Sequence, residues 1–158
     1  ATQTSYPSWH EMMKRYTTVC EFWTLKQSKN HVMMGSIDAW FYKTLAGIRP
    51  AVGSPAFKTF IIDPYYPKNL GWASASTDTL RGKITSQWYR SDEHLSMSLV
   101  VPFNTEALVY VACDRNCVIE IDERAVEDAP GVQFLRYENG KHILKVSAGR
   151  YDLKADLS

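Results

Sequence analysis

The hydrophobic period of this chain changes near residue 50, and that switch restricts the possible folds more than any other feature. From Pro7 to Ile48 apolar residues recur at three- and four-residue steps, whereas beyond Pro50 they alternate. The first spacing lays a stripe along a helix; the second lays one face along a strand. Pro7-Ser8 opens a first helix, with Trp9, Met12, Met13 and Tyr16 on its stripe and Ser as the cap for free amides. Ser36 is expected to cap a second helix, with Asp38 in its first turn and Ile37, Trp40, Phe41, Leu45 and Ile48 along one face before Gly47 and Pro50 end it. That face needs a partner that so short a segment lacks.

In the second part Leu95, Met97, Leu99 and Val101 alternate with His94, Ser96, Ser98 and Val100, the pattern of a strand with one face buried. Further strands are expected near 57–62, 72–79, 82–90, 107–111, 118–122, 132–137, 142–146 and 151–153. Gly82, Pro102-Phe103-Asn104, Asp114-Arg115-Asn116, Pro130-Gly131, Glu138-Asn139-Gly140 and Ala148-Gly149 supply the turns, Asn139-Gly140 being the strongest hairpin signal. Many short strands so spaced predict an antiparallel β-sandwich. The chain thus reads as an α+β fragment: the last helices of a larger helical domain over 1–50, a linker around 49–56, and the sandwich over 51–158. The sandwich is expected to fold alone and the helices are not. Because the sequence opens at Ala1 with neither an initiator Met nor a charged, apolar leader, a portion upstream is expected to have been removed.

Lys and Arg number 18 against 17 Asp and Glu, a net charge of +1, so there is no electrostatic footprint for nucleic acid or an anionic membrane. No apolar run approaches the roughly 20 residues that span a bilayer. Neutral partners such as sugars remain, and 5 Trp and 9 Tyr suit a carbohydrate-facing protein, although core packing is the ordinary role of any single Trp. Cys20, Cys113 and Cys117 make no even-numbered framework and no metal-ligand spacing. A Cys113–Cys117 bridge requires an oxidising compartment; a pair of buried thiols is the expectation. Neither a metal nor a cofactor is expected.

The chemistry gathers in Thr17-Thr18-Val19-Cys20-Glu21-Phe22-Trp23 and the following Asn30-His31, where a carboxylate sits among aromatics ahead of an imidazole. Hydrolysis of a glycosidic bond normally takes two carboxyl groups, and only Glu21 is convincing. Asp38 falls in a helix first turn, while Asp63 and Asp78 lie in or beside the sandwich. There is no Gly-x-Ser-x-Gly elbow, and Cys20 has His31 nearby without a third group to orient it. Taken by themselves, Glu21 is a surface or capped carboxylate, His31 a helix cap and Trp23 a core residue.

Together with Tyr6-Pro7-Ser8, Gly35-Ser36 and Trp40-Phe41-Tyr42-Lys43-Thr44-Leu45-Ala46-Gly47-Ile48, these motifs resemble the end of the catalytic domain of bacterial α-L-rhamnosidases. Pro55-Ala56-Phe57-Lys58, Ile61-Ile62-Asp63-Pro64 and Gly82-Lys83-Ile84-Thr85-Ser86-Gln87-Trp88 continue the likeness into the domain that closes those enzymes. The resemblance implies a six-hairpin (α/α) barrel, inversion at the anomeric carbon, Glu21 as the general base, His31 against the bound sugar and Trp23 as an apolar platform for the rhamnose ring. It implies a rhamnosyl glycoside as substrate, with the upstream barrel supplying the acid. Cys20 stands where the family usually has Trp, and Arg15-Tyr16 where Gly-Ala is common. The competing reading is a non-catalytic carbohydrate-binding sandwich, for which exposed Trp72, Trp88 and Tyr89 on one sheet face would speak.

Overall fold

The computed structural model describes residues 3–157, so the outer ends of both expected spans, 1–2 and 158, lie outside the described residues. The chain divides into two compact units, Ala1–Trp40 and Phe41–Ser158.

The first unit holds short helices. Helix α1, Trp9–Arg15, begins as its sequence dictates: Ser8 is the N-cap and its hydroxyl accepts from the Glu11 amide at 3.2 Å. Met12 on its inner side is buried, and the Met12 sulfur accepts from the Cys20 amide at 3.0 Å. Two single turns follow, α2 over Val32–Gly35 and α3 over Ile37–Trp40. The helix expected from Ser36 runs as α3 and continues in π-helical geometry through Leu45, but Ser36 is not its N-cap. Ser36 closes α2 instead, its hydroxyl donating to the Met33 carbonyl at 2.7 Å.

In the second unit Phe41–Leu45 forms a wider π-helical turn, and Ile48 leaves the helical pattern to enter β1, Ile48–Pro50. Gly47 makes that exit. Its φ is +74°, and a Cβ there would lie 2.3 Å from the Asp63 carbonyl carbon, so only glycine lets the two backbones approach so closely. The Asp63 amide donates to the Gly47 carbonyl and the Tyr65 amide to that of Thr44, which fastens the segment to the strands.

The remaining strands are β2 (Thr59–Ile62), β3 (Trp72–Thr79), β4 (Gly82–Arg90), β5 (His94–Ala112), β6 (Ile119–Ile121), β7 (Arg124–Ala125), β8 (Val132–Glu138) and β9 (Lys141–Asp156). The β3 and β4 bounds are those predicted from alternation, and Asn139 and Gly140 take the two positive-φ positions of the β8–β9 hairpin. Two pairs of expected strands instead fuse into β5 and β9. Pro102-Phe103-Asn104 is no turn but an irregularity inside β5, where the register against β9 shifts between Val101 and Glu106 and the buried Thr105 hydroxyl donates back to the Pro102 carbonyl. Ala148-Gly149 lies opposite it inside β9. Bulges of this kind let one strand bend from one layer into the next. The outer part of β5 pairs with β4 and the end of β9, and its inner part with β2 and the start of β9. One nine-stranded sheet thereby folds into a sandwich.

Among the described residues the sandwich is antiparallel apart from one pair, β2 with β5, which is parallel. The β3–β4 hairpin intervenes between those two strands in sequence, and that long crossover permits a parallel pairing that a tight turn does not. The core lies between the layers: Phe60 and Ile62, Ile84 and Trp88, alternate residues Leu95 to Val101, Ala107 to Val111, Leu144, Val146 and Leu153. Among the described residues no buried side-chain nitrogen or oxygen lacks a partner. The buried Ser86 hydroxyl donates to the Ala46 carbonyl, and Trp88 Nε1–H to that of Leu45 at 2.7 Å.

At the surface Lys145 Nζ sits 2.8 Å from Glu106 Oε2 and holds the Glu106 carboxyl below its ordinary pKa, against a smaller opposing effect of burial. A depressed carboxylate stabilises the fold above its unfolded pKa and loses that contribution as pH falls through the folded value. Because the pair is well solvated, Glu106→Gln is expected to lower stability by under about 0.5 kcal/mol at neutral pH and by nothing measurable at pH ~3, read from urea midpoints. No helix among the described residues is long and apolar enough to cross a membrane.

The expectation of two buried thiols is corrected. Cys113 and Cys117 are joined by a disulfide, Cys113 buried and Cys117 half-buried. After β5 ends, the Cys117 amide returns to the Asp114 carbonyl at 3.1 Å, and this turn brings the two Cα atoms to 6.2 Å, within bridging range.

Candidate functional site

The segment carrying Glu21 has no regular secondary structure, yet it is tied across its neck. The Glu21 amide donates to the Ser28 carbonyl and the His31 amide to the Val19 carbonyl, both at 2.8 Å, and the Thr18 hydroxyl donates to the Lys29 carbonyl. Residues 18–21 thus run alongside 28–31, and the intervening chain closes as a loop with Leu25 at a φ of 60°. Folding brings the backbones of Glu21 and His31, ten residues apart in sequence, onto neighbouring strands of one neck. Both side chains are half-buried, which leaves them open to a ligand while the backbone holds them in place.

Trp23 is also half-buried, and its ring meets that of Trp9 in a T-shaped contact, centroids 5.0 Å apart, so part of the indole is taken by packing. Phe22 is 49% exposed. Cys20 is buried beside Met12 and is a free thiol. Lys29 Nζ lies 4.8 Å from the Tyr16 ring centre, which braces the far side of the neck.

The three other carboxylates weighed from the sequence have settings of their own. Asp63 is gripped by Arg49 at 2.6 Å and Lys141 at 2.5 Å, an ion-paired clamp inside the sandwich unit. Asp78 is open to solvent on β3 with Lys83 at 3.8 Å, and Asp38 lies in the single turn α3. Of the aromatic trio weighed for carbohydrate binding, Trp88 is buried while Trp72 and Tyr89 are 61% and 58% exposed. These two are register partners on β3 and β4.

One grouping had no sequence signal. Sulfur atoms of Cys113 and Cys117 and a ring nitrogen of His142 lie within 4.8 Å of one another. His142 is 25 residues beyond Cys117, and only the β5–β9 register brings it there.

The comparisons with known proteins fall on both units. Residues 1–45 match the bacterial alpha-L-rhamnosidase 6 hairpin glycosidase domain, and residues 47–125 match the bacterial alpha-L-rhamnosidase C-terminal domain. An alpha-L-rhamnosidase of Formosa agariphila is 27% identical over 166 residues, covering 98% of this chain and 18% of that protein. The solved alpha-L-rhamnosidase from Dictyoglumus thermophilum superposes with a TM-score of 0.78 at 32% identity, over 99% of this chain and 18% of its own. That from Streptomyces avermitilis, solved with L-rhamnose, gives a TM-score of 0.78 at 25% identity over 97% of this chain and 15% of its own. The chain therefore spans less than a fifth of these relatives. With its helical segment and its sandwich each matching one of two adjoining domains of a single family, the chain belongs to the bacterial α-L-rhamnosidases.

Proposed function

We propose that this chain forms part of an inverting glycoside hydrolase that releases terminal α-L-rhamnose, and that Glu21 is its general base. The tied neck of the 18–31 loop carries this reading, because it fixes Glu21 and His31 on adjacent backbones while leaving both side chains accessible. In this role Glu21 takes a proton from the water that attacks the anomeric carbon, and an acid some 6.5–9.5 Å away protonates the leaving oxygen. The acid comes from the rest of the parent protein, since Asp63 is already paired with Arg49 and Lys141, Asp78 lies beside Lys83 and Asp38 sits in the first turn of α3. His31 hydrogen-bonds a ring hydroxyl, and Trp23 carries the sugar ring or its methyl group. In the parent, residues 1–50 serve the catalytic barrel and 51–158 the closing sandwich, although within this chain the compact sandwich unit already starts at Phe41.

Two measurements test this. The isolated chain is expected to give no turnover of an aryl α-L-rhamnoside, and the full-length parent to give β-L-rhamnose as the first anomer by proton NMR. Turnover by the isolated chain, or α-L-rhamnose as first product, would overturn it. The exposed Trp72–Tyr89 pair favours a second reading, a sugar-binding surface on the sandwich. Calorimetric titration with rhamnose, repeated on Trp72→Ala, separates the two: saccharide affinity of the isolated chain that disappears with Trp72 belongs to the module.

A further inference from the structure

β5 ends where Val111 pairs with His142 and Ala112 with Lys141 of β9, so the His142 imidazole stands beside the loop that leaves β5. Cys113 is the first residue of that loop and Cys117 returns to it after a turn. The Cys117 sulfur is 3.9 Å from His142 Nε2. The ring is only 9% exposed and is held on several sides. Phe134 and Tyr137 of β8 pack against it with centroids 5.8 and 4.9 Å away, and Nε2–H donates to the Asp114 carbonyl at 2.9 Å. It has no part in the proposed hydrolysis.

Two sulfurs and one imidazole nitrogen are the donor set of Cys2His zinc sites that keep a fourth position for water. With Zn–S near 2.3 Å and Zn–N near 2.0 Å, tetrahedral ligand atoms lie about 3.5–3.8 Å apart. The separation of the Cys117 sulfur from the nitrogen is already close to this, all three atoms lie within 4.8 Å of one another, and the two sulfurs must part. Their bridge closes a loop of sequence separation 4, and so short a loop restricts the unfolded chain less than a long one does.

We propose that Cys113, Cys117 and His142 form a redox-gated site for a soft divalent cation of the zinc class, shut as the disulfide and open as the dithiol. In the opening step a dithiol reductant passes two electrons and two protons to the bridge and becomes a cyclic disulfide itself. The cation then displaces both thiol protons, binds two thiolates and Nε2, and the imidazole proton moves from Nε2 to Nδ1. The metal undergoes no redox change. This inference stands apart from the catalytic reading, and the two fail separately.

The test uses the whole chain, oxidised or reduced with dithiothreitol that is then removed anaerobically, and titrated with Co²⁺ as a spectroscopic probe. The reduced chain is expected to take one equivalent, with a thiolate-to-cobalt charge-transfer band and tetrahedral visible bands that Zn²⁺ abolishes; the oxidised chain is expected to show neither. Cys117→Ser and His142→Gln should each weaken binding by at least roughly 10–100-fold, the loss typical even of a supporting residue, and Cys20→Ser should leave the spectrum unchanged. Circular dichroism checks the fold of each variant. Should His142→Gln unfold, the Cys113→Ser/Cys117→Ser double variant decides alone, since it hardly changes side-chain volume. No thiolate band in the reduced chain, or a band that persists in the double variant or at full strength in a folded His142→Gln, would overturn the proposal.

Discussion

Glu21→Gln in the full-length parent is expected to lower kcat by about 10²–10⁴-fold, the range that general-base catalysis supplies, or roughly 3–5 kcal/mol of transition-state stabilisation. An amide cannot accept the water proton, but it fills the same volume and can keep the neck intact, because Glu21 is tied there through its backbone amide and not its side chain. A loss in kcat with unaltered thermal stability therefore reports chemistry. His31→Ala is expected to act differently, raising KM and lowering kcat/KM, since in the proposed mechanism it removes a sugar contact and leaves the proton acceptor. Near-normal kcat for Glu21→Gln on an aryl α-L-rhamnoside would remove Glu21 from the mechanism.

The largest stability effect is expected at Trp88. Its side chain is 1% exposed, packs edge to face on Tyr66 at 4.9 Å and donates Nε1–H to the Leu45 carbonyl. Truncation to Ala empties the middle of the core, which costs about 3–5 kcal/mol for a residue of this size. Trp88→Phe keeps much of the apolar contact but strips the Leu45 carbonyl of its donor, and is expected to cost about 1–3 kcal/mol. Trp72, exposed on the neighbouring strand, should lose under about 0.5 kcal/mol on conversion to Ala. Urea denaturation of the three variants supplies the ranking; equal costs at Trp88 and Trp72 would show that the sandwich core is not packed as described.

Alternation made β3, β4 and the inward faces of β5 legible, because a one-residue error in register would have turned Leu95, Met97 and Leu99 to solvent. The fusion of strands was not legible. Pro, Asn and Gly mark a reversal and a bulge equally well, and only the pairing partners on either side of Val101 and Glu106 decide between them. The helix expected from Ser36 ends at Leu45 and stops short of Ile48 for a related reason: Ile48 fits the helical stripe, but pairing with Ile62 in β1–β2 buries it to 4% exposure. At the candidate site, the order of motifs pointed to Glu21, His31 and Trp23 without revealing the neck, whose ties are largely main-chain bonds that side-chain identity does not encode. The contact of Trp23 with Trp9 was equally hidden, since the ring partners lie in different local segments.

The sharing of β5 and β9 between both layers also bears on when the sandwich can form during synthesis. β9 supplies the partner for β6 and β8 as well as for both halves of β5, so neither layer is complete until Lys141–Asp156 has left the ribosome. Until then Leu95 to Val111 has half of its edge unpaired and its apolar face uncovered, a condition that favours association with other chains. Nascent protein of this kind is open to such association until β9 emerges, and a stop codon before Lys141 removes the closing strand from both layers at once.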